Sequence, residues 1–483
     1  SVLFESFFSV GGVPTAWKAA NITPLFKKGQ SSDPSNYRPV SITSVFGKIM
    51  ERVIASSMLQ HLKQNNLLND NQHGFLSKKS TLTNLLESVN DWSITLNNRN
   101  NVAVAYIDFQ RAFDSVTHPK LAHKLKAYGI EGALLEWILN FLSDRKHRTR
   151  VANSYSGFAP ISSGVVQGSC LGPLLFLLFI NDLLDEFNMP VTCKLYADDA
   201  KLYTDVTSAI DSANLQNTLD KLYNWSKIWQ LNISHHKCCI ITIGRSVGLN
   251  RITVKTNYRP TLFNYELAAS SLSIVKSVSD LGVIIDSQLN FCDQIASVTR
   301  KAHQRANLIH RCFLSREKDS LILAYKIYVR PILEYCSNVW SPSLKRDILS
   351  IEAVQRRFTK RLPGLSNISY HARLKLLKLE SLEIRRLRSD LILVYKILFG
   401  HVYCSVVNYF KLKTGERLKS LRRHSYQLVE PARGSSAIHV FFVNRVIKLW
   451  NELPLSINFS SVKQFKASLT VDYLTMKCQV NFT

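Results

Sequence analysis

The chain has 483 residues, 46% of them hydrophobic, enough for roughly two to four domains with real cores, which excludes a disordered tail. Lys and Arg number 61 against 35 Asp and Glu, and the resulting formal charge of +26 is spread along the chain, so a polyanion is the expected partner, nucleic acid first. The nine cysteines are scattered with no CxxC, which excludes a zinc-finger framework, and with no secretory signal a reducing, intracellular compartment is expected.

"WKAANITPLFKKG" (17–29) predicts a strand and a basic turn. "VFGKIMERVIASSMLQHLKQ" (45–64) and "TLTNLLESVNDWSITLNN" (81–98) carry apolar residues at helical spacing. "NVAVAYIDF" (101–109) is a near-continuous apolar run ending in an acid, the pattern of a buried central strand with Asp108 at its end. Two helices follow, "HPKLAHKLKAYG" and "EGALLEWILNFLSD", separated by Gly129, and then strands within 148–169. "LGPLLFLLFI" (171–180) is too short to span a bilayer and predicts a buried helix. "CKLYADDAKLYTDV" (193–206) reads as a hairpin with Asp198 and Asp199 at its tip. A helix over 209–229 and strands at "CCIITIG" and "SDLGVIID" complete an α+β front.

From about residue 290 helices dominate, among them 294–313, a continuous 320–340, 347–362, 377–400 and 437–453. Their basic runs, "QRRFTKR" and "IRRLR", are expected to face phosphates. The chain opens in mid-pattern at Ser1, as a fragment would.

An Asp-Asp pair in a turn is ordinary by itself. A third carboxylate, Asp108 at the end of a buried strand, changes the reading, because a buried lone carboxylate is costly and a bound cation compensates it. Carboxylates together with substrate phosphates are the usual Mg²⁺ arrangement, and two such ions stabilise the attacking and leaving oxygens of a displacement at phosphorus.

The order "AYIDFQRAFDSVTH", "SGVVQGSCLGPLLFLLFINDL" and "YADD" resembles the palm of reverse transcriptases. "ITPLFKKG", "NYRPVSITSVFGKIMERV" and "NQHGF" look like the fingers of non-LTR retrotransposon enzymes, and "FFVNRVIKLWNELP" is similar to the tail of jockey-like elements. The resemblance implies an α+β right-hand polymerase, with fingers and an antiparallel palm sheet over 1–286, a helical thumb over 287–345 and a basic, helical region over 346–483. It implies an RNA-directed DNA polymerase working on an RNA template, a DNA primer and dNTPs with two Mg²⁺ ions, Mn²⁺ being an alternative, in nucleus and cytoplasm and without a membrane.

Carried over by position, Asp108, Asp198 and Asp199 hold the metals, helped by the Phe109 carbonyl. Phe113 lies under the incoming sugar and excludes a 2′-hydroxyl, which speaks against an RNA-making enzyme. Gln167 and Gly168 border the nucleotide, and glycine there lets backbone approach. Arg38 grips the triphosphate with its planar fork, with Lys27 and Lys28 beside it. Lys237 lies near the leaving pyrophosphate as a proton donor. Asp114 supports the helix start. Two departures stand out: Leu76 follows "QHGF" where a basic residue is usual, and Tyr196 opens the "YADD" signature where Phe is more frequent. Within these 483 residues neither an endonuclease-like region nor the zinc knuckle of some relatives is read. A catalytically inactive or host-adopted nucleic-acid-binding derivative is the competing reading.

Overall fold

The computed structural model describes residues 2–27, 29–187, 189–244, 265–267, 270–413, 424–430 and 441–480. Lys28 and the start of the 437–453 helix lie outside them. In chain order the elements that position the site are β1 (Ala19–Phe26), β2 (Tyr37–Ile42), α1 (Val45–Gln64), α2 (Thr81–Asn97), β3 (Asn101–Ile107), β4 (Arg145–Val151), α3 (Gly172–Ile180), β5 (Thr192–Tyr196), β6 (Asp199–Val206), α4 (Ala209–Trp229), β7 (Cys239–Ile243), β8 (Ser273–Ile274), β9 (Ser277–Asp280), β10 (Val283–Asp286), α5 (Cys292–Cys312), α6 (Lys345–Lys360) and α7 (Leu382–Leu398).

The central sheet has the order β8-β7-β3-β6-β5. Its four main strands are antiparallel, and only the short edge strand β8 runs parallel, to β7. Strand side chains alternate between faces. Val102 and Val104 therefore point into one core, with Tyr203, Ile241 and Ile243, while Ala103, Ala105 and Ile107 point into the other. Burial on both faces explains why β3 reads as an unbroken apolar run.

The first core also holds Leu85, Leu86, Val89 and Trp92 of α2 and the apolar faces of α5, α6 and α7. The helical rear is thus packed onto the central sheet through α2. The second core contains α1, α3 and α4. β1 lies between β2 (antiparallel) and β4 (parallel) in a separate front sheet.

Two expectations about the rear are corrected. The single helix over 320–340 is broken into Lys318–Tyr328, Arg330–Glu334 and Ser337–Trp340. Pro331 cannot continue a helix ladder, and Cys336 adopts φ 50°. The "IRRLR" run of α7 is not a phosphate surface. Arg385 pairs with Glu334, Arg388 pairs with Glu380 at 2.5 Å, and Arg386 is buried. By contrast Arg356, Arg357, Lys360 and Arg361 of "VQRRFTKR" are exposed. Among the described residues, no helix is long and apolar enough to cross a membrane.

Candidate active site

The register of the central sheet brings the three aspartates together. Ile107 of β3 pairs with Ala200 of β6, so one step further Asp108 faces Asp199. Tyr196 pairs with Asp199 across the β5–β6 turn, leaving Ala197 and Asp198 at the tip. Ala197 adopts φ 57°, a left-handed conformation uncommon for alanine.

Gln72 holds that turn. Its Oε1 accepts from Ala197 N at 2.9 Å and from Gly74 N at 2.7 Å, and its Nε2 donates to Ala197 O at 3.3 Å. Residues 71–73 lie along β5 like an added strand: His73 N donates to Leu195 O and Leu195 N to Asn71 O, both at 2.9 Å. Below them the buried Glu87 accepts from Lys194 Nζ at 2.5 Å and from Ser405 N at 2.6 Å, with His73 Nε2 at 3.3 Å.

The carboxylates crowd one another. Asp198 is half-buried, and its proton affinity is raised by burial and by Asp108, against its own backbone amide, Arg38 and Lys237. Asp199 presents an exposed edge at the tip, yet the surrounding protein, Asp198, Asp280 and Asp108 push its carboxyl up to about 6. Lys237 Nζ lies 2.9 Å from Asp108 Oδ1. The 232–238 loop is pinned beside Asp108: Ser234 N donates to Asp108 O and Gln110 N to Asn232 O, each at 2.7 Å. This pattern bridges Phe109 to Ile233 without using the Phe109 carbonyl. The Phe109 ring is buried against Trp225.

Arg38 is exposed on β2, and its charge is felt at Asp198. Lys27 lies past the last β1–β2 pair, exposed, with no ion pair among the described residues and no contact with the aspartates. Phe113 is half-buried, stacked on Phe176 with centroids 4.3 Å apart and edge-on to Phe75 at 6.0 Å. Gln167 Nε2 donates to Asp114 Oδ1 at 2.7 Å, so Asp114 anchors the 162–170 loop as well as its own helical turn. Gln167 O accepts from Ser41 N at 3.0 Å, and a Cβ on Gly168, at φ 104°, would meet Ser41 O at 2.3 Å. Only glycine lets that loop lie against β2.

Two devices carry no motif. Lys201 Nζ lies 2.7 Å from Asp280 Oδ2 and both are buried, with Tyr106 Oη donating to the same oxygen at 3.2 Å. Lys201 shares a strand face with Asp199, and that two-residue spacing was the available signal. Glu51 accepts from Cys170 N at 2.6 Å and Leu171 N at 3.1 Å, holding the start of α3. Its proton affinity is raised chiefly by burial.

Among the described residues, no group of three His, Cys, Asp or Glu forms a preformed metal cage. Asp108, Asp198 and Asp199 nevertheless fit a hard divalent cation, since all are carboxylates and their mutual repulsion needs a counter-charge. Lys237 supplies part of that charge to Asp108.

The mixed sheets and helices are those of a right-hand polymerase, and the family comparison agrees. The chain belongs to the reverse transcriptase (RNA-dependent DNA polymerase) family, whose model matches residues 26–285, more than half of the chain. It is 28% identical over 377 residues to the RNA-directed DNA polymerase from mobile element jockey of Drosophila melanogaster, covering 75% of this chain and 40% of that one. To the probable RNA-directed DNA polymerase from transposon BS of the same fly it is 28% identical over 391 residues, covering 77% and 41%. The chain thus spans about 40% of the length of these curated relatives. A solved apo telomerase from Candida tropicalis is 10% identical with TM-score 0.43, covering 78% of this chain and 60% of that one. Members of the reverse transcriptase family use divalent metal ions.

Proposed function

We propose that this chain is an RNA-directed DNA polymerase of the non-LTR retrotransposon type, extending a DNA primer with dNTPs on an RNA template. The observation that carries the reading is the meeting of Asp108, Asp198 and Asp199 at one end of a rigid sheet, their repulsion only partly offset by Lys237, in a chain of charge +26. Residues 1–286 are assigned to fingers and palm, 287–345 to the thumb and 346–483 to a basic C-terminal region. The front sheet with Arg38 and Lys27 is the fingers, and the central sheet is the palm.

The primer 3′-hydroxyl attacks the α-phosphate of the bound dNTP, the bond to the β-phosphate breaks, and pyrophosphate leaves. Two Mg²⁺ ions held by the aspartates and the Phe109 carbonyl would stabilise the attacking and leaving oxygens. Arg38 binds the triphosphate through charge-assisted hydrogen bonds. Phe113, braced by Phe176, puts a ring where a 2′-hydroxyl would need space. Gln167 and Gly168 bring backbone close to the base. Lys237 is near enough to Asp108 to deliver a proton to the departing pyrophosphate. The Gln72 clamp keeps the tip stiff, as catalysis by positioning requires.

The test is extension of a primed homopolymer RNA by purified protein, with and without Mg²⁺. The parent should extend only with the metal, and Asp198→Asn should bind nucleic acid without extending. An inert parent that binds RNA favours the non-catalytic derivative instead.

A further inference from the structure

Glu87 of α2 is where four separate segments of the chain meet. It is buried, yet both carboxylate oxygens are engaged. Oε2 accepts from Lys194 Nζ of β5 at 2.5 Å and faces His73 Nε2 at 3.3 Å, and Oε1 accepts from Ser405 N at 2.6 Å. Burial works against the charge, but His73 and Lys194 hold the carboxyl below the usual range, so the anion persists. Lys194 Nζ also donates to Asn71 Oδ1 at 2.9 Å. One ammonium and one carboxylate thus join β5 to the strand formed by residues 71–73.

The rear closes this arrangement from the far side. Ser405 lies 318 residues beyond Glu87 in the chain. Two residues earlier, Tyr403 N donates to Lys78 O at 2.9 Å and Tyr403 Oη to Asp70 Oδ2 at 3.0 Å, with Lys79 Nζ 4.9 Å from the centre of the Tyr403 ring. Residues 403–405 therefore grip the 70–79 loop at both ends. The same loop bears on the turn that carries Asp198: Gln72 holds Ala197, and a Cβ on Gly74 would meet Ala197 N at 2.4 Å. Ala197, at φ 57°, occupies a conformation that persists only where the surroundings impose it. The loop is clamped between that turn and the rear, and Glu87 sits where the two holds meet.

We infer that Glu87 is a positioning residue: through Lys194, His73 and Ser405 it fastens the 70–79 loop between β5 and the rear, and through Gln72 it fixes the turn that carries Asp198. The rear then serves the site as a strut, a role separate from any contact with nucleic acid. The family match ends at residue 285, so the 403–405 contact lies outside the matched part of the chain. The inference rests on the polymerase reading only in giving Asp198 a metal to hold.

Ser405→Pro isolates the contact. Ser405 opens the short 3₁₀ turn Ser405–Tyr409, which does not need its N–H, and Cys404 before it is extended (φ −155°, ψ 129°), as a residue preceding proline prefers. The substitution removes the N–H donated to Glu87 and leaves the core alone. Hydrogen exchange of the full chain, followed by mass spectrometry, reads the turn without metal or activity. Exchange in the 195–199 segment should quicken about tenfold, the lower end for losing one hydrogen bond to a charged group, while β3 exchanges as in the parent. Glu87→Gln, which also strips Lys194 of its counter-charge, should quicken it further. In primer extension the Mg²⁺ midpoint should rise severalfold in Ser405→Pro, with KM for template–primer unchanged. Parent exchange at 195–199 in both variants overturns the inference. Equal acceleration of β3 does so too, since Glu87 would then be a general fold contact, as does a parent Mg²⁺ midpoint in a variant that extends. A parent chain that cannot extend while the exchange difference stands loses the polymerase reading and keeps the role of Glu87; extension with unaltered exchange does the reverse.

Discussion

Lys201→Met is the most informative single change outside the aspartates. Lys201 is two residues from Asp199 on β6 and reaches Asp280 of β9 at 2.7 Å. Their side chains are 4% and 6% exposed, so neither is hydrated. Removing one partner of a buried pair leaves an uncompensated charge and costs about 3–5 kcal/mol. Tyr106 Oη still donates to Asp280, and a hydrogen bond to a charged group contributes about 1.5–3 kcal/mol, so the lower end of the range is expected. Lys201→Met/Asp280→Asn removes both charges and should recover most of the loss, because a buried pair is often replaceable by uncharged residues at little cost. The assay is urea unfolding of the three proteins, followed by the signal that reports the central sheet, beside primer extension. Extension should fall in the single variant and partly return in the double one, because the pair ties the β9–β10 hairpin to the strand that bears Asp199. A single variant within about 1 kcal/mol of the parent, or a double variant no better than the single, would refute the coupling.

In metal-free protein Asp199 binds its proton more tightly folded than unfolded, with its carboxyl at about 6. Such a raised acid contributes stability below that value and loses it as pH rises through it. The melting temperature without metal should therefore rise as pH is lowered from 7 to 5.5. Asp199→Asn should flatten that rise, and a parent trend in this variant counts against the crowding. Gly168→Ala puts a Cβ 2.3 Å from Ser41 O at φ 104°, so it should cost at least about 1–3 kcal/mol in denaturation and slow extension; an unperturbed variant means the loop can shift freely. Phe113→Val should admit ribonucleotides, lowering dNTP-over-rNTP discrimination by about 1–3 kcal/mol in single-nucleotide kinetics, and unchanged discrimination moves the gate elsewhere.

Truncation after residue 286 illustrates what packing adds. The basic rear reads in the sequence as a separable module, yet α2 sends Leu85, Leu86 and Trp92 into the core shared with α5, α6 and α7. Tyr335 Oη also donates to Leu281 O at 2.8 Å, and Ser405 N to Glu87. A chain ending at 286 would expose that face of α2.

The sequence by itself determined most of the front elements and singled out the three acids. β3, the β5–β6 hairpin and α3 announce themselves because burial on two faces, strand alternation and turn chemistry act over a few neighbouring residues. Asp108, Asp198 and Asp199 were legible because each ends or begins such an element. Tertiary structure decided the partners. Gln72 meets Ala197, Lys201 meets Asp280, and Lys237 meets Asp108, separations of 125, 79 and 129 residues. It also decided that the arginines of "IRRLR" turn inward to acids while those of "QRRFTKR" lie on the exposed face of α6. The physical reason is that a periodic pattern encodes how much of a helix or strand is covered, and which distant side chain covers it follows only from sheet register and helix packing.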